Sequence, residues 1–346
     1  MRRHLNTLYV TTEDAWLSKH GENAVVKVEG KECGRVPMHL LGGIVCFGAV
    51  GATPALIGHC ADLGICFSFM SRNGRFLARV EGPVSGNVLL RRSQYRAADD
   101  EAMTTAMVRN LVTGKILNQR TVVRRALRDH GESSAAETRD RLKASERRLT
   151  DAVQRVARAQ GSDNLRGIEG EAARVYFQAF GDLVRSEEPT FKFDRRSRRP
   201  PLDPMNALLS LLYTLLVHDC RSALETTGLD PAVGFLHRDR PGRPSLALDL
   251  MEELRPVLAD RLALSLVNRR QLSGHDFDTE LSGAVSLNED ARKTVLISYQ
   301  ERKKDEIMHP FLKEKTTFGL VPFVQATLLA RWLRGELDGY PPFLWR

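Results

Sequence analysis

The hydrophobic pattern of this 346-residue chain changes period near residue 88, and that change limits the fold more than any single motif does. Before it, Leu8-Tyr9-Val10-Thr11, Ala24-Val25-Val26-Lys27-Val28, Gly43-Ile44-Val45-Cys46-Phe47 and Ile65-Cys66-Phe67-Ser68-Phe69 are short β-branched or aromatic runs punctuated by Gly, Asn and Asp, which predict strands. Ala52 to Leu63 is the exception: Leu56, Ile57, Cys60 and Leu63 recur at three and four, and Gly64 supplies a stop, so a helix is expected there. Beyond residue 88 the spacing is helical over roughly 87–97, 101–129, 137–160, 168–180, 204–227, 250–267, 286–301 and 317–335. A β-rich N-terminal part, residues 1–88, and a helical remainder, residues 89–346, are expected.

The best-marked element lies in the second part. Asp203 is an N-cap, Pro204 suits the first helical position and Gly228 follows the end, so Pro204 to Thr227 is delimited at both ends. It is mostly Leu, hence a core helix, yet Asn206, Ser210 and Tyr213 place three polar groups on one stripe. Such a stripe either bonds neighbouring helices or lines a polar cavity. Its longest apolar run, Ala207 to Val217, is short of the roughly 18–20 residues that span a bilayer, so no membrane span is expected. The start, Met1-Arg2-Arg3-His4-Leu5, leads into polar residues rather than an apolar stretch, so no signal peptide is expected and the chain reads as cytoplasmic. Five cysteines without a CxxC pair read as reduced, mostly buried thiols.

A net charge of +8 points to acidic partners, and its distribution narrows the choice. Residues 1–88 carry +2, residues 89–199 carry +8 and residues 200–346 carry −2. The middle excess is almost wholly Arg, the side chain shaped for bidentate phosphate contacts. Arg/Glu-rich 137–160 also fits a solvated helix face. The run Arg195, Arg196, Arg198 and Arg199 has only Asp194 beside it and is followed by Pro200-Pro201, which predicts a basic loop able to meet a polyanion.

Three segments carry metal-type ligands. Glu169 lies in Leu165-Arg166-Gly167-Ile168-Glu169-Gly170, where it is expected in a first helical turn and could simply complement the macrodipole. His237 ends Val233-Gly234-Phe235-Leu236-His237, before a charged turn containing Arg240 and Arg243; a lone His is commonly structural. Asp249 and Glu252 in Leu248-Asp249-Leu250-Met251-Glu252-Glu253 are three apart, on one helical face. One His with carboxylates and no Cys suits Mg²⁺ or Mn²⁺, although imidazole also accepts Zn²⁺. Beside an Arg-rich third, this set fits metal-assisted chemistry on a phosphodiester. The glycines at 42, 43, 48 and 51 form no phosphate loop, because no Gly-Lys-Ser/Thr follows.

At these residues the sequence resembles the CRISPR spacer-acquisition integrases, the catalytic subunits of CRISPR adaptation. The resemblance rests on Leu-Arg-Gly-Ile-Glu-Gly around Glu169, Asp-Pro-x-Asn-Ala-Leu-Leu-Ser at 203–210, Gly-Phe-Leu-His ending at His237 and Leu-Asp-Leu-Met-Glu-Glu at 248–253, and covers the whole chain. The ending Gly339 to Arg346 further resembles the type I-C branch. The resemblance implies an α+β protein: a small N-terminal β-sandwich-like domain that dimerises, followed by a larger all-helical catalytic domain. It implies that Glu169, His237 and Glu252 are catalytic and hold Mg²⁺ or Mn²⁺, with Glu252 where other members often carry Asp. Asp249 would support the metal or the DNA, and Glu253 has no assigned part. Implied partners are protospacer and CRISPR-repeat DNA, a second copy of the chain, a small ferredoxin-like adaptation subunit and an iron-sulfur nuclease. Arg240 and Arg243 near the phosphate, and Asn206, Ser210 and Tyr213 around the cavity, are expected in supporting roles. The implied chemistry is transesterification by a 3′-hydroxyl; a nuclease acting by hydrolysis alone, or a non-enzymatic nucleic-acid scaffold, would share parts of the pattern.

Overall fold

A computed structural model describes residues 6–72, 74–82, 88–131 and 135–345. Strands β1 (Asn6–Val10), β2 (Trp16–His20), β3 (Asn23–Val28), β4 (Lys31–Pro37), β5 (Leu41–Phe47) and β6 (Gly51–Ala52) precede helix α1 (Pro54–Asp62), followed by β7 (Cys66–Met70) and β8 (Phe76–Val80). They form two four-stranded sheets, ordered β1-β5-β7-β8 and β4-β3-β2-β6. Parallel pairing joins β1, β5 and β7, whereas β8 is antiparallel to β7. The expected strands and the α1 helix are all present. Those the apolar pattern missed, β2, β4, β6 and β8, are short or largely exposed and lack a continuous apolar run.

The uninterrupted apolar run of β5 has a simple cause. Ile44 and Cys46 enter a core shared with Leu17 of the second sheet and with Leu56 and Cys60 of α1. Val45 and Phe47, on the opposite face, enter the core of the helical part. A strand buried on both faces has no polar alternation to display.

The remainder comprises α2 (Val88–Asp99), α3 (Glu101–His130), α4 (Ala136–Arg158), α5 (Ser162–Leu183), α6 (Pro204–Thr227), α7 (Ser245–Leu254), α8 (Arg261–Asn268), β9 (Phe277–Thr279), β10 (Val285–Leu287), α9 (Glu289–Lys304), β11 (Glu306–Met308), β12 (Lys315–Thr317) and α10 (Val321–Leu333). The part is mostly helical rather than all-helical: β9 pairs with β10 and β11 with β12, in strands of three residues that are too short to show a period. Residues 1–5, residue 87 at the start of one expected helix, and Arg346 lie outside the described residues.

Four helices depart from expectation, one of them the helix expected at 317, which starts at Val321 after a 3₁₀ turn at Phe318–Leu320. The one expected at 168 begins at Ser162, because Gly167 and Gly170 are helix interior rather than breakers. The single helix expected over 250–267 is α7, a π-helical turn at Arg255–Asp260, and α8. Pro256 has no N–H for the carbonyl four residues back and its ring crowds that carbonyl, which a wider turn relieves. The helix expected at 286 starts at Glu289, after β10, with Asn288 accepting from the Ala291 N–H. Helix α6 keeps its predicted bounds: Asp203 accepts from the Asn206 N–H and Gly228 ends it at φ +88°. By length and mean hydropathy alone α6 could cross a bilayer. Here it is the core helix, with Leu208, Leu209, Leu212 and Leu216 fully buried among α7 and α10. Cys46, Cys60 and Cys220 are buried and all five thiols are free.

Candidate metal centre

Helix α3 packs against α5 and α7, and the three predicted ligands lie on α5, on α7 and in the loop that precedes α7. Because α5 begins at Ser162, Glu169 sits in its third turn, too far from the N-terminus to serve the macrodipole. Glu252 comes from the last turn of α7 and is buried at 3 % exposure. His237 comes from the loop between α6 and α7.

Asp249 organises that loop. Its fully buried carboxylate accepts from the backbone N–H groups of Phe235 (2.6 Å), Leu236 (2.9 Å) and His237 (2.9 Å). It also lies 2.7 Å from His237 Nδ1. A carboxylate only accepts, so Nδ1 carries the proton and Nε2 is left with its lone pair, 3.9 Å from Glu252 Oε1. Gly234 makes this possible: a Cβ there would come within 2.9 Å of Asp249 Oδ2 and 2.8 Å of Ser245.

A residue not singled out in the sequence occupies the centre. The Lys115 ammonium, on α3, contacts Glu169 Oε1 and lies 2.6 Å from Glu252 Oε2. Burial works against that ammonium, but Glu252 and Glu169 outweigh it and hold its pKa above the ordinary value. Burial likewise disfavours the Glu252 carboxylate, and the Arg255 guanidinium and the Lys115 ammonium reverse the effect and keep it well below the usual range. Arg255 Nη2 is 2.9 Å from Glu252 Oε1, whereas Oε2 is buried in ion-pair contact with no hydrogen bond of good angle.

Among the described residues no three His, Cys, Asp or Glu side chains are already gathered at ligating distances. The donors nevertheless suit a hard divalent ion: two carboxylates already share one cation, His237 Nε2 lies 3.9 Å from the second oxygen of Glu252, and a buried oxygen is short of a hydrogen bond. Glu253 turns away from this point. Its carboxylate is bonded by Gln325, Tyr340 and Phe343, and burial raises its pKa to about 7.

Arg166 is the second residue that was missed, although it stands one turn before Glu169 in the quoted motif. Its guanidinium donates to the carbonyls of Leu236 and Phe235, both at 2.8 Å. Lys115 carried no comparable signal, being one basic residue in a long helix.

The polar stripe of α6 bonds its neighbours. Asn206 donates to the Arg195 carbonyl (2.8 Å) and accepts from the Ser197 N–H (3.0 Å). Arg196 is correspondingly turned inward, bonded to Asn206 Oδ1 (2.5 Å) and Ser210 Oγ (3.2 Å) and stacked on Tyr213 at 5.2 Å. The predicted run is thus divided: Arg195, Arg198 and Arg199 are exposed, whereas Arg196 is occupied within the fold. Tyr213 alone reaches toward the centre, lying under Arg255 at 4.5 Å and donating to Asp260 at 2.5 Å. Arg240 is exposed and Arg243 half-buried in the His237 loop.

Comparison with known proteins shows the family. Residues 8–301 match the family described as CRISPR associated protein Cas1. The chain is 58% identical over 347 residues to the CRISPR-associated endonuclease Cas1 2 of Rhodospirillum rubrum, covering all of both chains. It is 52% identical over 346 residues to CRISPR-associated endonuclease Cas1 1 of Chlorobaculum tepidum, again covering all of both. In fold it is similar to a Cas1 protein from Thermotoga maritima, with a TM-score of 0.79 at 24% identity over 96% of this chain and 99% of that one. The chain belongs to the Cas1 family of CRISPR-associated proteins.

Proposed function

We propose that the chain is a metal-dependent DNA integrase and endonuclease of CRISPR adaptation, joining the 3′-hydroxyl of protospacer DNA to the CRISPR repeat. The observation that carries this reading is that Glu169 and Glu252 already share one cation, the Lys115 ammonium, with His237 Nε2 3.9 Å from the other oxygen of Glu252. Glu169, His237 and Glu252 would hold Mg²⁺ or Mn²⁺, which supplies Lewis-acid polarisation of a phosphodiester. Asp249 keeps the His237 lone pair outward, and Arg255 holds the Glu252 carboxylate ionised. In the net reaction one P–O bond forms to the incoming 3′-oxygen as one breaks in the repeat strand, so no nucleotide triphosphate is consumed. Water in place of the hydroxyl gives cleavage alone.

The remaining assignments follow the same reading. Exposed Arg195, Arg198, Arg199 and Arg240, with Arg243, take DNA phosphates. Residues 1–88 form the dimerising domain, to which exposed Phe76 and Leu77 on edge strand β8 would contribute apolar surface. The small ferredoxin-like subunit and the iron-sulfur nuclease are the further partners, and the setting is the cytoplasm. The test is strand transfer by purified Glu169→Ala and His237→Ala proteins in Mn²⁺. Loss of joining with DNA binding intact is expected, and unchanged joining overturns the assignment. Labelled DNA that is cut but never joined to the repeat would instead identify a hydrolytic nuclease.

A further inference from the structure

Helix α7 carries two consecutive glutamates that serve different neighbours. Successive positions stand about 100° apart around a helix. Glu252 faces Lys115 and Arg255, and Glu253 faces the end of the chain. The Glu253 carboxylate is fully buried and accepts from Tyr340 Oη (2.5 Å), Gln325 Nε2 (2.9 Å) and the Phe343 backbone N–H (2.7 Å).

A second set of bonds fixes the same segment independently. Asn118, on α3, donates to the backbone carbonyls of Glu253 (2.7 Å) and Phe343 (2.8 Å), and its side-chain oxygen accepts from the Trp345 N–H (2.9 Å). Tyr340 and Phe343 are each 1% exposed. At Gly114 a Cβ would come within 2.8 Å of Pro342 Cβ, so α3 admits the segment only because that position has no side chain. The Trp345 ring lies beneath Arg261 at 4.1 Å, with Arg125 at 5.3 Å. This end of the chain is bonded to two of the helices that carry the candidate centre, α3 and α7.

We infer that Tyr340–Trp345 is a strap that sets the rotation of α7, and that Glu253 is a positioning residue whose clamp aims Glu252 at the centre. Helix α7 has ten residues and runs directly into a π-helical turn, so its rotation is not fixed by length. Lys115 and Asn118, three apart on one face of α3, hold its two glutamate positions from one side, and the strap holds Glu253 from the other. Releasing the strap frees α7 to turn and carries Glu252 away from Glu169 and His237.

The inference rests on the metal reading above, and calorimetric titration of metal-stripped full-length protein with Mn²⁺ tests it. Tyr340→Phe deletes one oxygen and is expected to weaken Mn²⁺ binding about tenfold, the usual scale for residues that orient ligands. The same protein should keep its far-UV dichroism and its binding of duplex DNA in EDTA. Glu253→Gln should lose less Mn²⁺ affinity than Glu253→Ala. If Glu253→Ala does not fold, Tyr340→Phe decides. Folded variants with wild-type Mn²⁺ affinity overturn the strap alone, whereas a wild-type protein that binds no Mn²⁺ overturns the metal reading and the strap with it.

Discussion

Arg166 and Asp249 hold the same three-residue loop through complementary groups: Arg166 takes the carbonyls of Phe235 and Leu236, and Asp249 takes the amides of Phe235, Leu236 and His237. The peptide backbone before His237 is thereby bonded through both of its polar faces, and Arg166 stands one turn from Glu169 on α5. One side chain therefore ties the spacing of two candidate ligands. Arg166→Ala is expected to reduce Mn²⁺ affinity by about 10–100-fold in a calorimetric titration. Arg166→Lys should rescue little, because an ammonium does not reproduce the planar fork that reaches both carbonyls.

Lys115 predicts opposite effects on stability and on metal response. Removing one partner of a buried ion pair costs about 3–5 kcal/mol, because the other charges are left uncompensated. Lys115→Met leaves Glu169 and Glu252 facing each other without a counter-charge. In thermal melts the metal-free variant should unfold roughly 5–10 °C below wild type. Mn²⁺ should raise its Tm by more than it raises the wild-type Tm, since the ion then meets no ammonium to displace. An equal increment in both proteins would show that lysine and metal do not compete.

How much of this was legible follows from what each element displays. The bounds of α6 were readable because Asp203, Pro204 and Gly228 are local signals that act on their own backbone. The three candidate ligands could be singled out because motif resemblance marks residue types in order. Lys115 was not, since its meaning depends on where α3 passes α5 and α7, a long-range relation that helical spacing does not encode. The resemblance gives Glu253 no part, and the part it plays depends on Tyr340 and Phe343, some 90 residues away, which no local spacing displays. Arg196 looked like its neighbours in the basic run, and the Asn206–Ser210 stripe that draws it inward sits ten or more residues further along.

That difference within the basic run is measurable. Each phosphate contact contributes a slope of about −0.9 to the dependence of log affinity on log salt. Neutralising Arg195, Arg198 and Arg199 together should lower the magnitude of that slope by up to about 3 in fluorescence-anisotropy titrations of duplex DNA. Arg196→Ala should leave the slope within error of wild type and lower the Tm instead, because it strips partners from buried Asn206 and from Ser210.

Asp260 supplies a prediction for pH. Burial pushes its carboxyl up to about 6, against the hydrogen bonds donated by Tyr213 and Tyr176 and the pull of Arg255. An unfolded aspartate titrates near 3.9, so between about pH 4 and 6 the folded chain keeps a proton that the unfolded chain has released. Raising the pH through that window therefore lowers stability, by about 2–3 kcal/mol for this one group. His218 acts in the reverse sense: burial holds its pKa down to about 4, so its contribution is lost as pH falls from about 6.5. Asp260 and His218 oppose each other and Glu253, with its carboxyl raised to about 7, acts in the Asp260 sense, so the Asp260 slope emerges only by difference. Asp260→Asn, which keeps a carbonyl oxygen for one tyrosine, should destabilise the protein more at pH 4 than at pH 7 relative to wild type in urea melts. A difference between the two proteins that stays constant with pH would show that Asp260 does not hold its proton above pH 4.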